Sequence, residues 1–263
     1  MLRLSPLPAL ADNYIWLLAD PGLATALAVD PGEAAPVLQA LAAQELTLTA
    51  ILLTHHHPDH IGGTGELLAR FPDARVYAPE DDRIPHAHRR VHDGERIAIE
   101  STAAQFQVIA VPGHTRTHVA YHGEGLLFCG DTLFSLGCGR LFEGTPAQML
   151  SSLDRLASLP EDTRVCCGHE YTLANAAFAQ RIEPHNEALR MRQQQARTLR
   201  DAGEPTLPSL LVDERAANPF LRVDVLRVDA MAAPPELLTE GAWLSDRVAR
   251  FAALRAAKDG FRA

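Results

Sequence analysis

Apolar and polar positions follow two different rhythms along this chain. Residues 13–19 and 25–30 are short apolar runs divided by Asp20-Pro21-Gly22, a turn composition that predicts two hairpin-linked strands. Pro36 then opens an Ala- and Leu-rich stretch to about residue 45. A helix is expected there, because the amide that proline lacks has no partner in a first helical turn. Residues 48–54 predict a buried strand that runs straight into histidines, and 62–71 a helix after it. Further strands are expected over 75–78, 96–99, 106–111, 118–122, 126–129 and 164–167, with a helix over 147–159 before the last.

From Tyr171 onward the period changes. Residues 173–182, 186–202 and 243–257 read as amphipathic helices, joined by proline-containing connectors without a strand pattern. Two domains are therefore expected, a layered α/β domain over 1–172 and a smaller all-helical one over 173–263. There is no internal repeat and no low-complexity segment.

Composition narrows the function classes. With 47% hydrophobic and 22% charged residues the chain can bury a core, which excludes a disordered, collagen-like or disulfide-stapled protein. A net charge of −9 argues against a nucleic-acid or anionic-membrane partner, since neutralising phosphates needs a basic surface. Cys129, Cys138, Cys166 and Cys167 form no C-x-x-C pair, so a reducing compartment is expected. The apolar run over 2–10 is broken by Pro6 and Pro8 and closed by Asp12, and no later run has the length of a membrane span. The expectation is a soluble, cytoplasmic monomer.

The chemistry concentrates after the strand ending at Thr54, in His55-His56-His57-Pro58-Asp59-His60. In a chain just leaving a strand, residues two apart share a side, so His55 and His57 can converge on one cation while His56 points away. Asp59 and His60 follow at the expected start of a helix, positioned for a second cation. Three further candidates stand at strand ends: His114 after Val111-Pro112-Gly113, Asp131 after Cys129-Gly130, and His169 after Cys167-Gly168. Several strand ends delivering histidine or aspartate to one edge mark a site, because open sheets place ligands there. Asp30 is either a turn former or a group that orients a metal-bound imidazole. The other histidines, among them His56, His118 and His122, read as surface or supporting groups.

The run of His55, His57, Asp59 and His60 resembles the hallmark of the metallo-β-lactamase superfamily. The resemblance implies an αββα sandwich for the first domain. It also implies that His55, His57 and His114 hold one metal, that Asp59, His60 and His169 hold the other, and that Asp131 bridges them. Two divalent ions are implied, zinc first, with iron or manganese compatible with the same nitrogen and carboxylate donors. Two cations sharing a carboxylate can share a water and present it as hydroxide, which makes hydrolysis the expected chemistry.

A narrower likeness comes from GCGRLFEGT at 137–145, CGHEY at 167–171, NPFLR at 218–222 and RAAKD at 255–259. Together these resemble glyoxalase II, the hydroxyacylglutathione hydrolases. That family implies cleavage of S-(2-hydroxyacyl)glutathione, typically S-lactoylglutathione, to lactate and glutathione, the second step of methylglyoxal detoxification. Its attacking hydroxide bridges two metals, and Asp59 is a candidate to take the nucleophile's proton. Arg140, Tyr171, Arg255 and Lys258 would contact glutathione. Arg255 and Lys258 are spaced to share a helix face, and Lys258 is the only lysine among 24 basic residues. Phe142 departs from the family, where a tyrosine is common, and has no hydroxyl to donate. The rival readings are a persulfide dioxygenase with one iron on a His/His/Asp set, a metal-dependent nuclease, and a non-catalytic module that binds glutathione conjugates.

Overall fold

The N-terminal segment that carries Pro6 and Pro8 is a strand, β1 (Arg3–Ala9), although its prolines argue against one. It pairs antiparallel with β2 (Asn13–Asp20) at the edge of a sheet, where a proline leaves no ladder bond unmade on the open side. The structure is a computed structural model that describes residues 2–226 and 246–262. It divides into two compact units, one of Met1–Ala110, Thr117–Gly130 and Cys166–His169, the other of Val111–Arg116, Asp131–Val165 and Glu170–Ala263.

In the first unit, β3 (Thr25–Val29) turns back from β2 and is followed by α1 (Ala35–Gln44), with Pro36 in its first turn. Three parallel additions complete the sheet: β4 (Thr47–Leu52), β5 (Arg75–Pro79) and β6 (Arg89–Val91), in the order β1-β2-β3-β4-β5-β6. The helix expected over 62–71 is α3 (Thr64–Arg70), and the helix start expected at Asp59 and His60 is a separate short turn, α2 (Pro58–Ile61). The break comes at Gly62 and Gly63, where the backbone of residues 32–34 passes so close that a Cβ on either glycine would clash.

Alternate residues of the sheet face opposite ways, as the period of two requires. Ile15, Leu17, Ala26 and Ala28 pack with Val37 and Leu41 of α1 and Leu67 of α3. The residues between them, including Trp16, Leu18 and Leu27, are equally buried. They face a second sheet, in which β7 (Arg96–Ile99), β8 (Ala104–Ala110), β9 (Val119–Gly123) and β10 (Leu126–Gly130) pair antiparallel in turn and the strand Arg164–Cys167 lies beside β10. Two polar contacts tie the sheets: Trp16 Nε1 donates to the Cys167 carbonyl at 2.9 Å, and the Tyr121 hydroxyl to the Leu53 carbonyl at 2.9 Å. Both donors are buried, so losing either partner would leave a desolvated polar group.

The second unit begins with a hairpin of β11 (Leu133–Phe134) and β12 (Gly137–Cys138), followed by α4 (Pro146–Ala157). A reciprocal capping box between Thr145 and Gln148 starts α4. After β13 (Arg164–Cys167) come α5 (Thr172–Ile182), α6 (Glu187–Asp201), β14 (Ser209–Leu210), α7 (Leu211–Ala217) and α8 (Arg247–Gly260). Among the described residues the C-terminal part is thus helical except for β14, which pairs with the start of β13; two residues are too short to show a period. Helix α8 was expected from residue 243, and 243–245 lie outside the described residues. Its C-terminal end runs three residues beyond the expected one, which places Lys258 inside the helix. The helices close on the hairpin through buried polar groups. Asn218 Nδ2 donates to the Phe134 and Gly137 carbonyls at 3.0 Å, and Glu214 accepts the Leu136 amide at 2.8 Å. Among the described residues no helix is long and apolar enough to cross a membrane.

Candidate metal centre and its surroundings

The histidine run starts three residues past the end of β4, and its geometry is set by Pro58 and the helical turn that it starts. His57 is extended and Pro58 begins α2, so Asp59 and His60 fall in a first helical turn. Asp59, His60 and His169 bring one ligand atom each to within 4.8 Å of one another. Both His60 Nε2 and His169 Nε2 lie 3.4 Å from Asp59 Oδ2. Burial opposes the charge on Asp59, but hydrogen bonds from His169, His60 and Asn13 outweigh it and hold this carboxyl well below the usual carboxylate range. The Asn13 amide donates to Asp59 Oδ2 at 3.0 Å.

His55, His60 and His169 are each fixed from behind. His60 Nδ1 meets Asp30 Oδ2 at 3.0 Å, and His169 Nδ1 meets Asp12 Oδ1 at 2.8 Å. His55 Nδ1 meets the Thr54 hydroxyl at 3.0 Å, and that hydroxyl itself donates to Asp30 at 2.6 Å. His55 Nε2 then approaches His57 Nδ1 at 3.0 Å. A carboxylate or hydroxyl behind one ring nitrogen sets the tautomer that leaves the other lone pair for a metal, so the donor set fits divalent cations. Asp30, His55 and His60 also lie close enough to form a cluster. We read Asp30 there as the orienting group, because its oxygens already accept from Thr54 and face the nitrogen of His60 turned away from Asp59.

Asp30 reaches this place through a left-handed backbone, φ 50°, at the turn after β3, a conformation aspartate tolerates better than most residues. Replacing Asp30 by alanine is expected to weaken metal binding by about 10- to 100-fold while the fold persists, the usual cost of losing an orienting partner. Competition with a chromogenic chelator measures it, and unchanged affinity would remove Asp30 from the site.

In the second unit, His114 Nε2 lies 3.4 Å from Asp131 Oδ2, with both side chains buried. His114 Nδ1 faces the Arg140 carbonyl at 2.9 Å, the same backing arrangement with a backbone oxygen in place of a carboxylate. Gly139 makes this approach possible: a Cβ there would lie 1.9 Å from the Asp131 carbonyl oxygen. The Phe142 ring stands 5.2 Å from the His114 ring and is exposed.

The same unit holds the four residues expected to contact substrate. Arg140 Nε and Arg255 Nη2 both approach Asp259 Oδ1, at 3.5 and 3.0 Å. Lys258 Nζ donates to the Ala174 carbonyl at 3.0 Å and sits 5.4 Å from the Phe178 ring centre. Burial, together with the positive charges of Arg255 and Arg140, pushes the Lys258 ammonium down to about 8. Tyr171 rests edge-on against Phe134 at 5.2 Å. Arg255 differs from the other three. Its side chain is buried, and its guanidinium donates to the Cys138 carbonyl at 2.7 Å.

Residues 13–169 match the family model for the metallo-beta-lactamase superfamily, and residues 170–261 match that for the hydroxyacylglutathione hydrolase C-terminus. A hydroxyacylglutathione hydrolase of Xanthomonas axonopodis pv. citri is 55% identical over the full length of both chains. One from Xylella fastidiosa is 54% identical, covering 99% of this chain and 98% of that one. The chain belongs to the hydroxyacylglutathione hydrolases of the metallo-beta-lactamase superfamily. Among solved structures it resembles TTHA1623 in a di-iron-bound form, with 31% identity, a TM-score of 0.53, and coverage of 63% of this chain and 91% of that one. Membership makes this protein a metal-dependent hydrolase with the superfamily's α/β sandwich, a helical C-terminal part and a binuclear metal site.

Of the sequence candidates, Asp59, His60 and His169 meet within one unit, as do His55 and His57, while His114 meets Asp131 in the other. His118 stacks on His55 at 4.5 Å and turns its Nδ1 to the Val119 carbonyl, a supporting position. The orienting groups Asp12, Asn13 and Thr54 were not singled out from sequence. The one signal was the polar pair Asp12-Asn13 directly ahead of an apolar strand.

Proposed function

We propose that the chain hydrolyses S-(2-hydroxyacyl)glutathione, with S-lactoylglutathione giving lactate and glutathione. Water adds its hydroxyl to the thioester carbonyl carbon, the C–S bond breaks, and the remaining proton goes to the departing sulfur. The observation that carries this reading is the Asp59, His60 and His169 set, in which each imidazole is held from behind so that its other nitrogen is directed at a shared carboxylate. Full-length identity of 54–55% to curated hydroxyacylglutathione hydrolases supports the substrate class.

In this proposal His55, His57 and His114 hold one divalent ion, Asp59, His60 and His169 the second, and Asp131 belongs to both. Zinc suits the nitrogen-rich donors best. When bound, such a pair lowers the pKa of water toward neutrality and polarises a carbonyl oxygen. The protein's own groups do the rest. Asp59 stays ionised at neutral pH, and in this proposal it takes the nucleophile's proton. Arg140 and Lys258 supply positive charge for the carboxylates of glutathione, and Tyr171 offers a phenol hydroxyl. Arg255 enters through Asp259 and Cys138, as the buried support of that cationic patch. The division into a catalytic part over 1–172 and a substrate-binding part over 173–263 belongs to the same proposal.

Thiol release from S-lactoylglutathione, followed with and without chelator in a sample of measured metal content, tests the reading. Release that needs about two metals per chain supports it. Metal-replete protein that releases no thiol from this substrate overturns it.

Lys258 adds a pH signature. Its ammonium is charged below about 8 and neutral above, so attraction for an anionic substrate weakens as pH rises through that value. KM is expected to climb above pH 8 in the wild type, and Lys258→Arg, which stays charged, is expected to flatten the climb. Identical KM profiles for the two proteins would remove Lys258 from substrate binding.

A further inference from the structure

The second sheet carries a cavity on its outward face that neither the hydrolase chemistry nor the family likeness uses. Arg96 on β7, Gln107 on β8 and His122 on β9 are successive cross-strand neighbours and therefore share one face. Gln105, two residues from Gln107, lies on the same face, whereas Phe106 between them points into the core and is 1% exposed. These side chains, with Gly123, line a cavity of about 300 Å³. Gly123 keeps β9 close to β8 at its floor, where a Cβ would lie 1.9 Å from the Gln105 carbonyl oxygen.

The lining is one guanidinium, two primary amides and one imidazole beside Phe106 and Gly123, and the neighbouring Glu124 carboxylate is engaged by the Gln105 backbone amide at 3.0 Å. In a chain of net charge −9, the Arg96 guanidinium has no carboxylate partner among the described residues. An unneutralised guanidinium presents parallel N–H donors that match two oxygens of a planar or tetrahedral oxyanion. Each glutamine adds two N–H donors and a carbonyl, which can also accept from a hydroxyl. Burial pushes the His122 imidazole down from its ordinary value, so at neutral pH it offers one donor and one acceptor in place of a second charge. The volume sits at the small end of the range for ligand pockets and has room for such an anion together with water.

We propose that this cavity is a binding site for a small oxyanion, gripped by Arg96 and flanked by Gln105, Gln107 and His122. Two sources share that chemistry, a short hydroxycarboxylate and inorganic phosphate. The proposal stands on this sheet face alone and is independent of the thioesterase reading.

The test uses full-length, metal-loaded protein titrated separately with inorganic phosphate and with D-lactate, following the amide resonances of residues 96, 105, 107, 122 and 123. Saturable shifts at these positions are expected with at least one anion. Arg96→Gln is expected to weaken that binding by about tenfold or more, with thiol release from the thioester unchanged. His122→Gln, which keeps a hydrogen-bonding side chain, is expected to weaken it less. Saturation by phosphate alone assigns the inorganic anion, and by lactate alone the carboxylate. No saturable shift with either anion, or equal affinity in wild type and Arg96→Gln, overturns the proposal.

Discussion

Asp131→Ala is expected to leave the protein with about one metal per chain and to lower kcat by about 10³-fold, roughly 4 kcal/mol of lost transition-state stabilisation. Asp131 follows β10 directly, is buried, and turns Oδ2 to within 3.4 Å of His114 Nε2. A buried carboxylate beside an imidazole has two explanations. As a plain ion pair it would serve His114 alone, and its loss would cost stability while metal content and turnover stayed high. As a ligand to both ions its loss removes charge from each, so metal content and activity fall together. Elemental analysis and thiol-release kinetics on one preparation separate these outcomes. Full metal content with near-wild-type kcat would refute the bridging assignment.

Gly139→Ala should damage the same place without removing any functional group. A Cβ at residue 139 would stand 1.9 Å from the Asp131 carbonyl oxygen and 3.3 Å from His114 Nδ1. The nearest atom belongs to backbone, so no side-chain rotation relieves the clash. The contact must open by about 1 Å to reach the 3.0 Å that a Cβ needs, and the chain carries Asp131 or the Arg140 carbonyl behind His114 with it. Overpacking of this kind costs about 1–3 kcal/mol of stability. A displacement approaching 1 Å costs about 10²-fold in activity. Urea denaturation reads the first and kcat the second. An alanine variant with wild-type stability and turnover would mean that this loop has slack the geometry does not show.

Much of the site was legible because metal ligands come from few residue types and sit close in sequence. His55, His57, Asp59 and His60 occupy six positions, and a strand followed by a proline-started turn fixes which way each points. His114, Asp131 and His169 were found by their place after glycine-ended strands. The Asp12 carboxylate behind His169 comes from 157 positions away and the Asp30 carboxylate behind His60 from 30, separations that no local period reports. Arg255 was expected to meet substrate from its spacing with Lys258. Helical spacing says which residues share a face, but not that the Cys138 carbonyl covers one of them.

The sequence by itself determined the rhythm of strands and helices, the ligand types and the family. Each depends on a residue and its near neighbours: the period of burial, the fixed φ of proline, the closeness that glycine permits. The β1 strand shows the limit, because its prolines are tolerable only where β2 leaves an open edge, and that is a property of the sheet. Tertiary structure alone decided which tautomer each imidazole presents and which cations keep their charge turned outward. Hydrogen bonds and desolvation act through space over a few ångströms, between groups that the chain brings together only once its core has closed.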